Sequence, residues 1–488
     1  MIKPYKNMLK YLLTFAAAIG IMASAQAEDR ITHNPNTVND DIIFHAWSWS
    51  FPSMTKHMKQ IADAGYTIIQ TSPVQNCFCP EGTSMRIWGK REDNGNYEGW
   101  WFYYQPLDWK IGNHVLGNKE QMQVMLDEAK KYGLRVIVDV LPNHTSFSTD
   151  SVSPEYYKAV GGRKKMFHTK GLTPVKNYSD RYQCTLQGCG GLPDVNTENP
   201  KMQAYYMNFV NELLAMGVRG FRYDTAKHIG VHSDPTDKEA GVKVNDFWDV
   251  ATGRKAVRGV KLALPMDSLF VYGEVLQDRG VPEKEYADYF GMTASGYGWN
   301  LCKALEKHSA KGIDLVSWHH NVAPEYLTTW VESHDTYCNA NETAGIPDEM
   351  IRCGWVWLTA RQNGIPLFYN RPAGSTRQNY WGNNVLGEAG NDEYFHPEVV
   401  AVNQFRHNMA GELEDLQMSD TQEVLVVNRG NKGAAIINLA TTARALDIKT
   451  SLPDGEYFDK VYNQPFVVEG GHLKGALKGA TTYIIYSK

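Results

Sequence analysis

The sequence predicts an α/β protein built on a parallel sheet, closed into a barrel or left open, and ending in an antiparallel β domain. Three observations carry this. Strand-like and helical runs alternate from Asp41 onward, and Arg135-Val136-Ile137-Val138-Asp139 is a nearly continuous apolar strand of the kind covered on both faces. The tail, in contrast, breaks into short strands separated by turn signals.

Taken in order, Ile42-Ile43-Phe44-His45-Ala46 is the first strand-like run. It leads into a helix with Phe51, Met54, Met58 and Ile61 on one stripe. Thr67-Ile68-Ile69-Gln70-Thr71 is the next strand. A second helix opens at Asn118, with Gln121 three residues on as an N-cap pairing, and turns Met122, Met125, Leu126 and Ala129 inward before stopping at Gly133. Residues 144–200 interrupt the rhythm. They are rich in Gly, Ser, Thr and Asn and show no sustained helical period, which suits a functional loop or a small subdomain. After a helix near His396–Met409 come Val424-Leu425-Val426-Val427 and Ala434-Ala435-Ile436-Ile437, separated by signals such as Arg429-Gly430-Asn431.

The first 27 residues read as an export signal. Lys3, Lys6 and Lys10 form a basic start, Tyr11 to Ala23 an apolar core too short to span a bilayer, and Ala25-Gln26-Ala27 a cleavage site. Cleavage there removes three lysines and no acid, taking the formal charge from −5 to −8 and leaving 461 of 488 residues. The expectation is a secreted protein, periplasmic or extracellular, with nothing to suggest more than a monomer. Without a basic block or Arg-rich helix, nucleic acid and anionic membranes are not expected partners. Aromatic residues make up 12% of the chain, which suits either a large core or a sugar-stacking surface. Seven cysteines follow the signal; Cys184 with Cys189, and Cys338 with Cys353, are plausible bridges on closeness in sequence. Cys77-Phe78-Cys79 has the wrong spacing for zinc.

Three acids close runs that read as buried strands: Gly220-Phe221-Arg222-Tyr223-Asp224, Val271-Tyr272-Gly273-Glu274 and Glu332-Ser333-His334-Asp335. They lie 50 and 61 residues apart, too far for a local cluster but suited to separate strands whose tips meet. Glycosidic bond cleavage needs two carboxyl groups of unlike protonation flanking one sugar carbon.

The neighbours of these acids sharpen the reading. Asp139-Val140-Leu141-Pro142-Asn143-His144, Gly220 through His228, Gly273-Glu274-Val275 and Ser333-His334-Asp335 resemble, in order, the four signature regions of the α-amylase family (glycoside hydrolase family 13). Leu192-Pro193-Asp194-Val195-Asn196 is similar to its fifth. His45 through Ser50, Ala64 through Pro73 and Glu332 through Tyr337 resemble secreted bacterial α-amylases of the Bacillus subtilis type. The resemblance covers nearly all of the chain after the signal. It implies a (β/α)8 TIM barrel formed by residues 28–143 and 201–411, a domain B at 144–200 inserted after strand 3, and a C-terminal antiparallel β-sandwich at 412–488.

By position in these motifs, Asp224 corresponds to the nucleophile, with Arg222 able to keep it charged, and Glu274 to the general acid/base, for which a raised pKa is expected. Asp335 corresponds to the third carboxylate. His144 and His334 resemble residues that bond the reacting glucose, Tyr104 with Gln105 the stacking segment, and Lys227 with His228 the leaving-group side. The resemblance also implies Ca2+, held by side-chain oxygens of Asn143 and Asp194 and by the backbone carbonyls of Thr185 and His228. Cys184 and Cys189, flanking Thr185, depart from the Bacillus-type pattern. The implied activity is endohydrolysis of α-1,4-glucosidic bonds in starch, glycogen and maltooligosaccharides. Two rivals share much of the pattern: a glucan transferase using the same acids, and a non-catalytic glucan-binding barrel, which would not require all three.

Overall fold

A computed structural model describes residues 40–339 and 342–486; the expected export signal, residues 1–27, lies outside them. Eight parallel strands close into a barrel: β1 (Ile43–Ala46), β2 (Ile68–Thr71), β3 (Arg135–Val140), β4 (Gly220–Tyr223), β5 (Phe270–Gly273), β6 (Gly291–Thr293), β7 (Leu327–Trp330) and β8 (Ile365–Tyr369). Each pairs with its neighbour in sequence, and β8 returns to β1 through Ile43↔Leu367 and Phe44↔Phe368. Every residue of these strands is buried, which is why they read as apolar runs rather than alternating ones.

The helices are set by local chemistry. In α1 (Phe51–Asp63) the Ser50 side chain accepts from the Ser53 N–H, Pro52 occupies the first turn, and Phe51, Met54, Met58 and Ile61 are the buried stripe. In α2 (Lys119–Lys131) Asn118 and Gln121 form a reciprocal capping box, and Met122, Met125, Leu126 and Ala129 face the barrel. Gly133, at φ +71°, turns the chain from α2 into β3. Between β3 and α3 (Pro200–Met216) the chain forms only short helices, Pro154–Val160, Arg163–Met166 and Arg181–Leu186.

Beyond α4 (Ser295–Glu306), α5 (Asp348–Ala360) and α6 (Pro397–Asn408) lie two four-stranded antiparallel sheets. The first joins β9 (Glu414–Met418), β10 (Val424–Arg429), β11 (Gly433–Asn438) and β16 (Thr481–Tyr486). The second joins β12 (Arg444–Lys449), β13 (Gly455–Phe458), β14 (Pro465–Glu469) and β15 (His472–Leu477). Val426, Ile436, Tyr483 and Ile485 pack with Leu446, Phe466 and Leu473 between the sheets. Leu425, Val427, Ala435, Ile437 and Ile484 point the other way, into the core shared with the barrel. The first sheet is therefore apolar on both faces, while β12 and β14 alternate buried and exposed residues.

Two expectations are corrected. Neither cysteine pair is bridged; all seven cysteines are free thiols. The Cys338 sulfur faces the Tyr369 hydroxyl at 3.2 Å, whereas Cys353 on α5 faces the Asn438 carbonyl at 3.8 Å. Cys184 meets His228 instead of Cys189. Second, Glu332–Asp335 is not the end of a strand: β7 stops at Trp330, and Asp335 opens a single π-helical turn, Asp335–Asn339. Glu332 is buried because Arg371, beyond β8, grips both its oxygens at 2.7 and 3.0 Å.

Candidate active site

The C-terminal ends of the strands converge on one cleft, where barrel geometry delivers side chains from distant sequence. Asp224 and Glu274 each follow the last residue of a strand, and the neighbouring strand still holds their backbones. The Asp224 N–H donates to the Val140 carbonyl at 2.9 Å and the Glu274 N–H to that of Tyr223 at 2.8 Å. Thr225 then turns through φ +48°, a left-handed conformation unusual for threonine, and its N–H donates to Glu274 Oε2 at 2.8 Å. Strain and hydrogen bond together fix the Glu274 carboxyl.

Arg222, 5% exposed on β4, is the hub. Its Nη1 lies 2.6 Å from Asp224 Oδ1 and 2.8 Å from Asp139 Oδ2, and its Nη2 lies 3.0 Å from Glu274 Oε2. Three carboxyl groups thus share one guanidinium, Asp139 and Asp224 on one nitrogen and Glu274 on the other. Asp139, fully buried, also accepts from the Tyr104 hydroxyl at 3.0 Å. One cation cannot neutralise Asp139, Asp224, Glu274 and Asp335, so the cluster retains protons. Burial pushes Glu274 up to about 7, against the pull of Arg222 and with help from Asp224 and Asp335. The recessed site and the Asp224 charge also raise Asp335.

The histidines are neutral and wedged among rings. Burial, then Arg222, lowers His334 to about 3; its ring lies nearly parallel to that of Tyr104, at 5.2 Å and 16°, with Nε2 3.5 Å from Asp335 Oδ2. His144 donates from Nε2 to the Tyr104 carbonyl at 3.0 Å, leaving a buried Nδ1 without a partner; Nε2 of His45 is likewise buried and unpartnered. The cleft encloses a cavity of about 350 Å3 lined in part by His45, Arg222, Glu274, His334 and Asp335. Tyr178, Cys189, Lys227 and Trp299 line the same cavity. The Lys227 ammonium pairs with Asp278 and lies 5.5 Å from the Tyr178 ring. Gln105 is spent on structure, its Oε1 accepting from Ser146 Oγ at 3.0 Å and from the Phe147 N–H at 3.3 Å.

The residues expected to hold calcium come together as two pairs. Asn143 and Asp194 sit on adjacent antiparallel segments, the Val195 N–H donating to the Asn143 carbonyl at 2.8 Å. Thr185 and His228 are joined through their neighbours, with His228 Nδ1 donating to the Cys184 carbonyl at 2.7 Å. The Asn143 Nδ2 is buried without a partner. Among the described residues no cluster of three His, Cys, Asp or Glu suits a metal, so a cation here would rest on amide, carboxylate and carbonyl oxygens. Such a donor set fits calcium. His168 orients the carboxylate: its Nδ1 lies 2.5 Å from Asp194 Oδ2 and its Nε2 2.7 Å from Glu198 Oε2.

Sequence reasoning passed over Asp139, His45, His168 and Trp299 as site residues. Asp139 carried a signal, an acid closing an apolar strand inside a recognised motif, as did His45, in a strand-like run that opens a recognised segment.

Residues 55–342 match the family described as alpha amylase, catalytic domain. The chain belongs to the alpha-amylase family. An alpha-amylase from Butyrivibrio fibrisolvens is 37% identical over 95% of this chain and 49% of its own length. One from Clostridium acetobutylicum is 29% identical over 93% of this chain and 55% of its own. The chain thus spans about half the length of these curated relatives. The fold is shared with alpha-amylase I of Eisenia fetida, at a TM-score of 0.70 and 18% identity, covering 94% of this chain and 99% of that one.

Proposed function

We propose that this alpha-amylase family chain is an exported enzyme that cuts α-1,4-glucosidic bonds within starch, glycogen and maltooligosaccharides, with retention at the anomeric carbon. The observation that carries this reading is the pair of carboxyl groups, Asp224 and Glu274, on neighbouring nitrogens of Arg222, with Glu274 pushed up to about 7. Retaining chemistry needs two carboxyls this close, one ionised and one protonated.

Asp224 would attack the anomeric carbon while Glu274 gives its proton to the departing oxygen. The resulting glycosyl ester breaks when Glu274, now a base, takes a proton from water. The unpartnered ring nitrogens of His45 and His144 are buried polar atoms that sugar hydroxyls would satisfy. Asp335, beside the neutral His334, would bind hydroxyls of the distorted ring. Calcium, held by Asn143, Asp194 and the carbonyls of Thr185 and His228, would tie the segment after β3 to the barrel and take no part in proton transfer.

Proton NMR of fresh starch digests tests the reading. The expected first product carries the α-anomer and falls in a broad size range. A β-anomer would remove the retaining mechanism, and products longer than the substrate would mean transfer instead of hydrolysis.

A further inference from the structure

Met85, Trp88, Tyr97 and Val385 are exposed large apolar side chains, and Trp88 and Tyr97 are 40% and 51% accessible. Two distant segments bring them onto one surface. The hairpin of Trp88–Lys90 with Tyr97–Gly99 meets the loop after β8, where the Arg86–Val385 bridge and the Leu386 N–H to Met85 carbonyl bond (2.8 Å) join them. The Trp88 ring lies parallel to that of Trp381, at 6.2 Å and 6°, with Tyr97 at 5.3 Å. Asn384 clamps the Trp88 backbone from both sides, accepting from its N–H at 2.9 Å and donating to its carbonyl at 2.8 Å.

An exposed indole held this firmly has little rotamer freedom left to lose, and its flat face suits the apolar C–H face of a sugar ring. An open groove reached through the same Met85–Val385 segments is lined by Met85, Val385 and Leu386 together with Asn383 and Glu388, a mixture of apolar surface and hydroxyl-bonding groups. The surface is also continuous with the cleft. Tyr97–Gly99 runs directly into Trp100, whose ring meets His334 at 5.8 Å. The Tyr380 carbonyl accepts from the hydroxyl of Tyr337, two residues past Asp335, at 2.7 Å.

We propose that Trp88, Tyr97 and Trp381 form a platform at the rim of the cleft, on the Tyr104–His334 side, that binds glucose units of a long α-glucan away from the bond being cut. This rests on the α-glucan reading of the cleft. The platform would give the enzyme a grip on polymer that short oligosaccharides cannot use.

The test uses the Glu274→Gln chain, which binds without cutting, in native gels containing amylopectin. Trp88→Ala in that background is expected to weaken retardation about tenfold, while Trp88→Phe stays near the parent. Equal retardation of the Ala variant and its parent overturns the platform, as does a parent that amylopectin does not retard. An equal loss against a β-linked glucan overturns the α-glucan assignment. Self-association that disappears with Trp88→Ala in size-exclusion runs overturns it in favour of a second copy. Starch hydrolysis by the unmodified chain is scored separately, so failure of the cleft reading and failure of the platform are told apart. Thermal melts of all three chains check that each is folded.

Discussion

Arg222 sets the division of labour among the acids, because one guanidinium reaches Asp139, Asp224 and Glu274 at once. Lysine has a single nitrogen and cannot hold that geometry. Arg222→Lys is therefore expected to lower kcat by about 10³-fold with the far-UV spectrum unchanged. Steady-state kinetics on soluble starch and circular dichroism check both parts. Glu274 gives a prediction with a sign. Its ordinary value is 4.5 and the folded chain raises it to about 7, so the folded state holds this proton more tightly than the unfolded one. The associated stability is complete below about pH 4 and is lost as pH rises through about 7. Glu274→Gln should thus be more stable than the parent at pH 8, by about 2 kcal/mol, and no more stable at pH 4. Thermal melts at the two pH values measure this. In the proposed mechanism the same proton is given to the leaving group, so kcat/KM of the parent should fall above about pH 7.

Among the elements, the segment between β3 and α3 depends on buried charge more than on regular structure. His168 lies between Asp194 and Glu198, and all three side chains are nearly inaccessible. Burial works against the imidazolium, but the two carboxylates outweigh it and raise His168 to about 10. His168→Ala would leave two acids buried without their cation, at an expected loss of about 3 kcal/mol, measurable as a lowered denaturant midpoint. None of this was readable beforehand, because the partners lie 26 and 30 residues apart with no periodic signal between them. Elements set by neighbouring residues were readable: the Ser50 and Asn118 caps, the Met54–Met58 and Met122–Met125 stripes, and the acids directly after β4 and β5. Asp335 was placed on the wrong element, since Glu332 looks like the end of a strand until Arg371 arrives from beyond β8. The cysteines failed for a related reason: nearness in sequence does not aim two sulfurs at each other. The Trp88–Tyr97 hairpin was also invisible, being too short to show an alternating pattern.

For the whole molecule, the question is what joins its parts. The C-terminal sheets are fastened to the barrel by polar contacts as well as apolar ones. Arg429 donates to the carbonyls of Ala360 and Met409 at 3.0 and 2.8 Å, Arg361 pairs with Glu414 at 2.8 Å, and Glu398 accepts from the Thr482 N–H at 2.9 Å. Ending the chain at 411 would strip the apolar cover of Leu425, Val427, Ile437 and Ile484 from α5 and α6, and the shortened protein should aggregate on expression. The joint after β3 is different, because its proposed fastening is an ion. Asn143 and His228 belong to the barrel side and Thr185 and Asp194 to the segment outside it, so calcium would cross-link the two beside the cleft. A ligand bound only by the folded state adds about 2.7 kcal/mol at a hundred times its Kd, which for a chain of this size amounts to several degrees of Tm. A strong chelator should therefore lower Tm, and excess calcium should restore it. Asp194→Asn should have a lower Tm from the start and respond to neither. The His168–Asp194–Glu198 contact needs no metal, so the chelated protein should melt cooperatively at its lower temperature. A Tm that the chelator leaves unchanged would show that the joint holds without a metal, through contacts such as Arg181 with Asp234 at 2.7 Å and with the Lys227 carbonyl at 2.9 Å.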